Sequence, residues 1–181
     1  MPKIHVLPPH LANQIAAGEV VERPASIVKE LVENAIDAGA TAVSVSLQDG
    51  GLSSILVSDN GCGLSPEDAP NAFLRHATSK ISTAEDLNAI SSLGFRGEAL
   101  ASIGAVASVT MVTRPQGADV GTKIIFDNGC LISQQETACV FGTSLRVENS
   151  FAKVPARLKF LKSPRTEAGY CGDYMARMLL C

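Results

Sequence analysis

The sequence predicts an α/β (α+β) two-layer sandwich: a mixed, largely antiparallel sheet with helices covering one face. Three observations predict it. An amphipathic helical segment is followed at once by two alternating apolar runs around a DGG turn at 49–51. A helical middle then gives way to short alternating segments between Val106 and Val147, separated by turns containing Pro115, Gly117, Asn128, Gly129 and Gly142. Helical patterning returns after Pro155, so one face of the sheet has a layer to cover it. A length of 181 residues, 46% of them hydrophobic, suits one domain, 1–181, with a substantial core.

The elements follow in order. Residues 1–22 begin as an extended piece broken by Pro8 and Pro9, with a small helical segment around 11–17. A long helix is expected over 24–38, because Pro24 suits a first turn, Ser26 can cap and Gly39 can end it. Its apolar face would carry Ile27, Val28, Leu31, Ala35 and Ile36. Val43, Val45 and Leu47 alternate as a strand that the turn at 49–51 folds onto 52–58 as a hairpin. Helices are expected at 66–75, 83–91 and 97–103, with a polar loop at 76–80. Strands follow at 106–113, 122–127, 130–135 and 143–147, then helices at 155–161 and from about 167. The apolar helical stretch at 175–181 has no stop signal, which reads as a fragment of something longer.

Composition limits the function classes. A net charge of −3 and a pI near 5.6 argue against a dedicated basic nucleic-acid clamp, though not against a local basic patch. Aromatics are only 4% of the chain and Trp is absent, so stacking of single-stranded bases is not the main business. The five cysteines form no CxxC pair and no zinc-like spacing with histidine. Their odd number points to a reducing, cytoplasmic setting rather than a disulfide framework. No secretory signal and no membrane-spanning apolar run occur.

The chemistry-bearing pattern lies first on the long helix. Glu30 and Asn34 stand one turn apart and Asp37 continues their face, so a carboxylate and a carboxamide can hold a water and a metal ion side by side. Alone, such a stripe is usually a solvated face. The strand-end turn DNGCG (59–63) strengthens it: Asp59 can accept a hydrogen bond from an amino group, and Gly61 and Gly63 permit close backbone approach to a planar ligand. A third segment, GFRGEAL (94–100), places glycines before a helix whose first N–H groups can cradle phosphate. Thr143 in FGT (141–143) opens a strand, where a β-branched residue is by itself unremarked. No Walker A pattern occurs, so a nucleotide would be bound by other means.

Together these four segments resemble the motifs of the GHKL (Bergerat-fold) ATPases. Within that superfamily, residues 7–41, RHATSKI (75–81) and SLGFRGEALASI (92–103) are similar to the MutL mismatch-repair proteins, as is IAAGEVVERP (15–24). One departure is that FAKVPAR (151–157) carries Lys153 and Val154 where the family usually has Asn-Thr. The resemblance implies ATP and Mg²⁺ as cofactors, Glu30 as general base and Asn34 as metal ligand. It also implies an adenine pocket of Asp59, Gly61, Gly63 and Thr143, lined by Asp37 and Ala38. Phosphates would be held by a lid over 75–97, using Thr78, Ser79 and Lys80 with backbone N–H groups of Gly94, Phe95, Arg96, Gly97, Glu98 and Ala99. Arg75, Lys80 and Arg96 are the candidate phosphate cations, and Arg96 can equally pair with a glutamate.

The resemblance further implies an N-terminal arm (1–20) that crosses to a partner when ATP drives homodimerisation of the full-length protein. It implies transducer-like and C-terminal dimerisation domains beyond this fragment, one of them supplying a lysine to the γ-phosphate, and hence weak hydrolysis here. Partners would be the mismatch-recognition protein MutS, a downstream nuclease or helicase, and DNA bound weakly and without sequence preference. A late basic cluster, Lys153, Arg157, Lys159, Lys162 and Arg165, suits such contacts, or a solvated helix face. Two rival functions are a topoisomerase ATPase subunit, against which the 15–24 and 94–100 strings weigh, and a binding scaffold fixed by nucleotide without turnover.

Overall fold

The computed structural model describes residues 20–78, 97–152 and 154–178, with residues 5, 6, 8, 15, 17 and 18. The expected helix at 83–91 and most of the N-terminal arm lie outside the described residues.

The first long helix, α1, runs from Pro24 to Asp37. Pro24 takes the first-turn position, where its missing N–H costs nothing. Ser26 does not cap: Arg23 occupies the N-cap position in extended conformation, and the Ser26 N–H already donates to the Arg23 carbonyl (3.0 Å). At the other end Gly39 adopts φ 74°, its N–H reaching the Ile36 carbonyl (2.9 Å) and that of Ala40 the Ala35 carbonyl (3.1 Å). That paired closure is a Schellman stop. Ile27, Val28, Leu31, Val32 and Ala35 are buried, whereas Ile36 is 40% exposed and does not join the core. It falls one position past the buried stripe, on the shoulder of the helix.

Strands β1 (Val43–Gln48) and β2 (Ser54–Asp59) form the expected hairpin, joined through a 3₁₀ turn at Asp49–Gly51. The helix expected at 66–75 is only one turn, α2 (Asp68–Asn71). Beyond it the bonds tighten to i−3 partners (Phe73 N–H to Pro70, Leu74 N–H to Asn71), and His76 at φ 61° ends the run. Helix α3 spans Ala99–Val106, two residues later than expected at its start. Four strands follow: β3 (Ser108–Arg114), β4 (Gly121–Asp127), β5 (Cys130–Thr137) and β6 (Gly142–Glu148). Helix α4 is a single turn, Pro155–Leu158, and α5 runs over Pro164–Met178.

The sheet has six strands in the order β1-β2-β6-β3-β4-β5. All its ladders are antiparallel, the pure case of the largely antiparallel sheet expected. Alternation puts one set of side chains on the covered face, and the register lines them up in rows across the strands. One row is Leu47, Ile55, Val147, Val109 and Phe126; the next is Val45, Val57, Leu145, Met111 and Ile124. These two rows, the buried stripe of α1, and Ile103 and Val106 of α3 make the core. The third row reads Val43, Asp59, Thr143, Thr113 and Thr122. At that end of the covered face, polarity replaces hydrocarbon.

Candidate nucleotide site

The third row is the floor of the site. Asp59 ends β2 half-buried, and its Oδ1 accepts the N–H of Gly61 (2.8 Å) and that of Thr143 (3.3 Å). Burial raises the Asp59 carboxyl above the usual carboxylate range, against the lowering pull of those two N–H groups. Its Oδ2 takes no protein hydrogen bond among the described residues, so an acceptor remains for a ligand. Thr143 stands directly beside Asp59 on β6, and its Oγ1 is 3.0 Å from that of Thr113 on β3.

The loop after β2 is held on both sides. The Cys62 N–H donates to the Ala38 carbonyl at the end of α1 (2.9 Å), and the Leu64 N–H to Thr113 Oγ1 (2.9 Å). A side chain at Gly61 would lie 2.9 Å from Ala38, while Gly63 has φ 68° and backs onto the Arg114 carbonyl. Both glycines are therefore required where the loop passes between helix and sheet. Asn60 locks its start: Oδ1 accepts the Thr41 and Ala42 N–H groups (2.8 and 2.9 Å), and Nδ2 donates to Thr41 Oγ1 (2.8 Å). These bonds fix the C-terminal end of α1, with Asn34, Asp37 and Ala38, beside the floor.

Along α1, Asn34, Asp37 and Ala38 are half-buried and the Glu30 side chain keeps 24% of its exposure. Lys29 Nζ lies 3.2 Å from the Glu30 carboxylate and 3.1 Å from that of Glu33. Partial burial works against the Lys29 charge, yet Glu33 and Glu30 together hold its ammonium above the ordinary lysine range. Glu33, three residues on from Glu30 and on the neighbouring side of the helix, is buried and takes a hydrogen bond from Tyr174 of α5 (3.1 Å). Lys29 thus bridges a packed acid, Glu33, and the more open Glu30.

The described ends of the 75–97 segment meet. His76 Nδ1 lies 3.4 Å from the Glu98 carboxylate, and Gly97, at φ 61°, backs against Ala77. Glu98 caps α3, and its carbonyl accepts the Ser102 N–H (2.8 Å), which leaves the N–H groups of 99–101 without helical partners. Thr78 is half-buried; Ser79, Lys80, Gly94, Phe95 and Arg96 lie outside the described residues. Of the late basic cluster, Lys153 also lies outside. Arg157 turns inward to donate to the Gly18 carbonyl, while Lys159, Lys162 and Arg165 are exposed.

Sequence reasoning missed Thr113. It is fully buried, and its hydroxyl touches Leu64 N, Thr143 Oγ1 and the Gly142 carbonyl (3.2 Å). The signal was legible: the alternation that buries Val109 and Met111 puts a polar residue next on the same face.

A polar site at one end of an antiparallel sheet under a helix, in a chain with no Walker loop, fits one class of protein. The profile of the histidine kinase-, DNA gyrase B- and HSP90-like ATPases matches residues 22–153, and the chain belongs to that family. The particular likeness is to MutL. MutL of Thermoanaerobacter pseudethanolicus is 51% identical over 180 residues, covering 99% of this chain and 29% of that protein. MutL of Parabacteroides distasonis is 57% identical over 164 residues, covering 91% of this chain and 27% of that one. The Aquifex aeolicus MutL ATPase domain complexed with ADP is 30% identical with a TM-score of 0.70, covering 86% of this chain and 54% of the other. The chain therefore spans less than a third of these curated relatives' length.

Proposed function

We propose that this chain binds ATP with Mg²⁺ and hydrolyses it slowly, as the switch of a MutL-type mismatch-repair protein. The observation that carries the reading is the polar third row, where Asp59 and Thr143 present hydrogen-bonding groups at the end of an otherwise apolar face. The ADP complex of the Aquifex MutL domain, similar over 86% of this chain, supports it.

Asp59 accepts from the adenine amino group, Gly61 and Gly63 let the base lie against backbone, and Thr143 completes the edge. Asp37 and Ala38 shape the adjoining wall. Backbone N–H groups of Gly94, Phe95, Arg96, Gly97, Glu98 and Ala99 hold phosphate, together with Thr78, Ser79 and Lys80. Glu30 takes the proton of the attacking water.

Among the described residues no three His, Cys, Asp or Glu side chains gather as a metal cage. Mg²⁺ does not need one: it keeps waters and phosphate oxygens and takes only one or two protein ligands. The Asn34 amide oxygen fits that role without adding charge beside the phosphates. When bound, the ion neutralises charge developing on the phosphate oxygens.

In the longer protein, nucleotide binding would drive homodimerisation through the 1–20 arm and the 75–97 lid. That would couple MutS, and a nuclease or helicase, to the repair step in the cytoplasm, with weak DNA contacts from Lys159, Lys162 and Arg165. No described helix is long and apolar enough to cross a membrane. Glu30→Ala tests the reading. ADP affinity stays within about threefold while phosphate release falls about 100-fold or more, the worth of a general base. Unchanged turnover overturns the role of Glu30, and no nucleotide binding by the unsubstituted chain overturns the whole proposal.

A further inference from the structure

We infer that Asn128, at the tip of the β4–β5 hairpin, is a site of spontaneous covalent modification to aspartate and isoaspartate, and that the fold suppresses the same reaction at Asn60. Neither assignment depends on what the candidate site binds.

The tetrapeptide Asp-Asn-Gly-Cys occurs twice, at 59–62 and at 127–130, and these two copies hold the only Asn-Gly pairs in the sequence. Such a pair is open to cyclisation, because glycine has no side chain to keep its nitrogen away from the asparagine carboxamide. The glycine nitrogen gives up its proton to water or hydroxide and attacks Cγ. A new N–C bond closes a five-membered imide while the Cγ–Nδ2 bond breaks and ammonia leaves. Water then opens the imide at either carbonyl, giving aspartate or an isoaspartate whose main chain runs through the side chain. Identical tetrapeptides begin with the same local chemistry, so their surroundings separate them.

Those surroundings differ sharply. The Asn60 carboxamide is tied at both atoms: Oδ1 accepts the Thr41 and Ala42 N–H groups (2.8 and 2.9 Å), and Nδ2 donates to Thr41 Oγ1 (2.8 Å). Its neighbour Gly61 is buried, and the Gly61 N–H donates to Asp59 Oδ1 (2.8 Å). Asn128 and Gly129, by contrast, are exposed and form a two-residue turn at φ 53° and 71°. The Asn128 carboxamide has one hydrogen bond among the described residues, from Nδ2 to Asp127 Oδ2 at 3.5 Å, beyond the usual range. Each glycine N–H has one bond to give up, since that of Gly129 donates to the Gly104 carbonyl of α3 (3.0 Å). The difference therefore lies in the carboxamides, three short bonds against one long one. At the ordinary worth of a hydrogen bond, that slows Asn60 at least about tenfold relative to Asn128. An isoaspartate at 128 lengthens the turn by one main-chain atom and pulls on the Gly129 bond to α3, at the opposite end of β4 from Thr122 and the polar row.

Peptide mapping by mass spectrometry, on samples taken while the chain stands in mildly alkaline buffer, tests this. In the native chain Asn128 should convert at least about tenfold faster than Asn60, and in guanidinium chloride the two should convert at the same rate. Thr41→Val removes one acceptor and keeps both backbone donors, so it should speed Asn60 by about fivefold and leave Asn128 unchanged. Equal native rates, or faster conversion at Asn60, overturn the inference. So does a native Asn128 that stays intact while the denatured chain converts. Unequal rates in guanidinium chloride assign the difference to sequence rather than to the fold, and an unchanged Asn60 rate in Thr41→Val removes the hydrogen bonds as its cause; either result also overturns it.

Discussion

Asp59→Asn should weaken nucleotide binding without weakening the fold, because the two oxygens of Asp59 have separate duties. Oδ1 accepts the Gly61 and Thr143 N–H groups, and an asparagine carbonyl can do the same. The second oxygen becomes an NH₂ group that meets the adenine amino group donor to donor. Losing a hydrogen bond to a charged acceptor costs about 1.5–3 kcal/mol, so the Kd for ADP should rise roughly 10- to 150-fold. Stability responds the other way. Burial raises the folded-state pKa of Asp59, so the folded chain binds that proton more tightly than the unfolded one. The contribution of this group to stability is therefore present at acid pH and lost as pH rises through the raised value. At pH 7 the buried charge opposes folding, and the neutral amide relieves it. Urea titrations at pH 7 should show Asp59→Asn at least as stable as the parent, with the advantage shrinking as pH falls toward the ordinary carboxylate range. Calorimetric titration with ADP reads the affinity. An affinity within twofold of the parent refutes the adenine role, and a large loss of stability at pH 7 refutes the division between the two oxygens.

Two further outcomes are expected. Gly97→Ala places a Cβ 2.5 Å from the Ala77 carbonyl oxygen at φ 61°, so the two ends of the 75–97 segment must part; stability should fall by about 1–2 kcal/mol and ADP affinity should fall with it, and unchanged affinity in calorimetry shows that this closure does not serve the site. The Cys171 thiol is pushed up to about 11, by burial first and then by Glu167, and is 1% exposed. Iodoacetamide at pH 8 followed by mass spectrometry should label exposed Cys62 and Cys130 and spare Cys171 until denaturant is added; equal labelling rates in the native chain contradict that burial.

Local patterning settled most elements of this fold, because a helix stop, a hairpin turn or an alternating strand is decided by neighbours a few residues apart. Gly39 ends α1, the turn at 49–51 folds the hairpin, and the four later strands start and finish close to where alternation places them. The errors fell where a short segment depends on what it packs against. Ser26 yields the cap to Arg23, the helix at 66–75 shrinks to α2, and Ile36 turns outward. The face bearing Glu30, Asn34 and Asp37 was equally legible, since its spacing is one helical turn.

What the sequence by itself determined, then, is each side chain's chemistry and the local face on which it stands: the acid and amide of α1, the aspartate closing β2, the threonine opening β6. Only the tertiary structure decided that Asp59, Thr143 and Thr113, drawn from three strands and separated by dozens of residues, share one row. Strand order and register are long-range choices, made by burying two apolar rows against α1 and α3. Once those rows close, the third cannot lie elsewhere, and the polar end of the sheet becomes the candidate site.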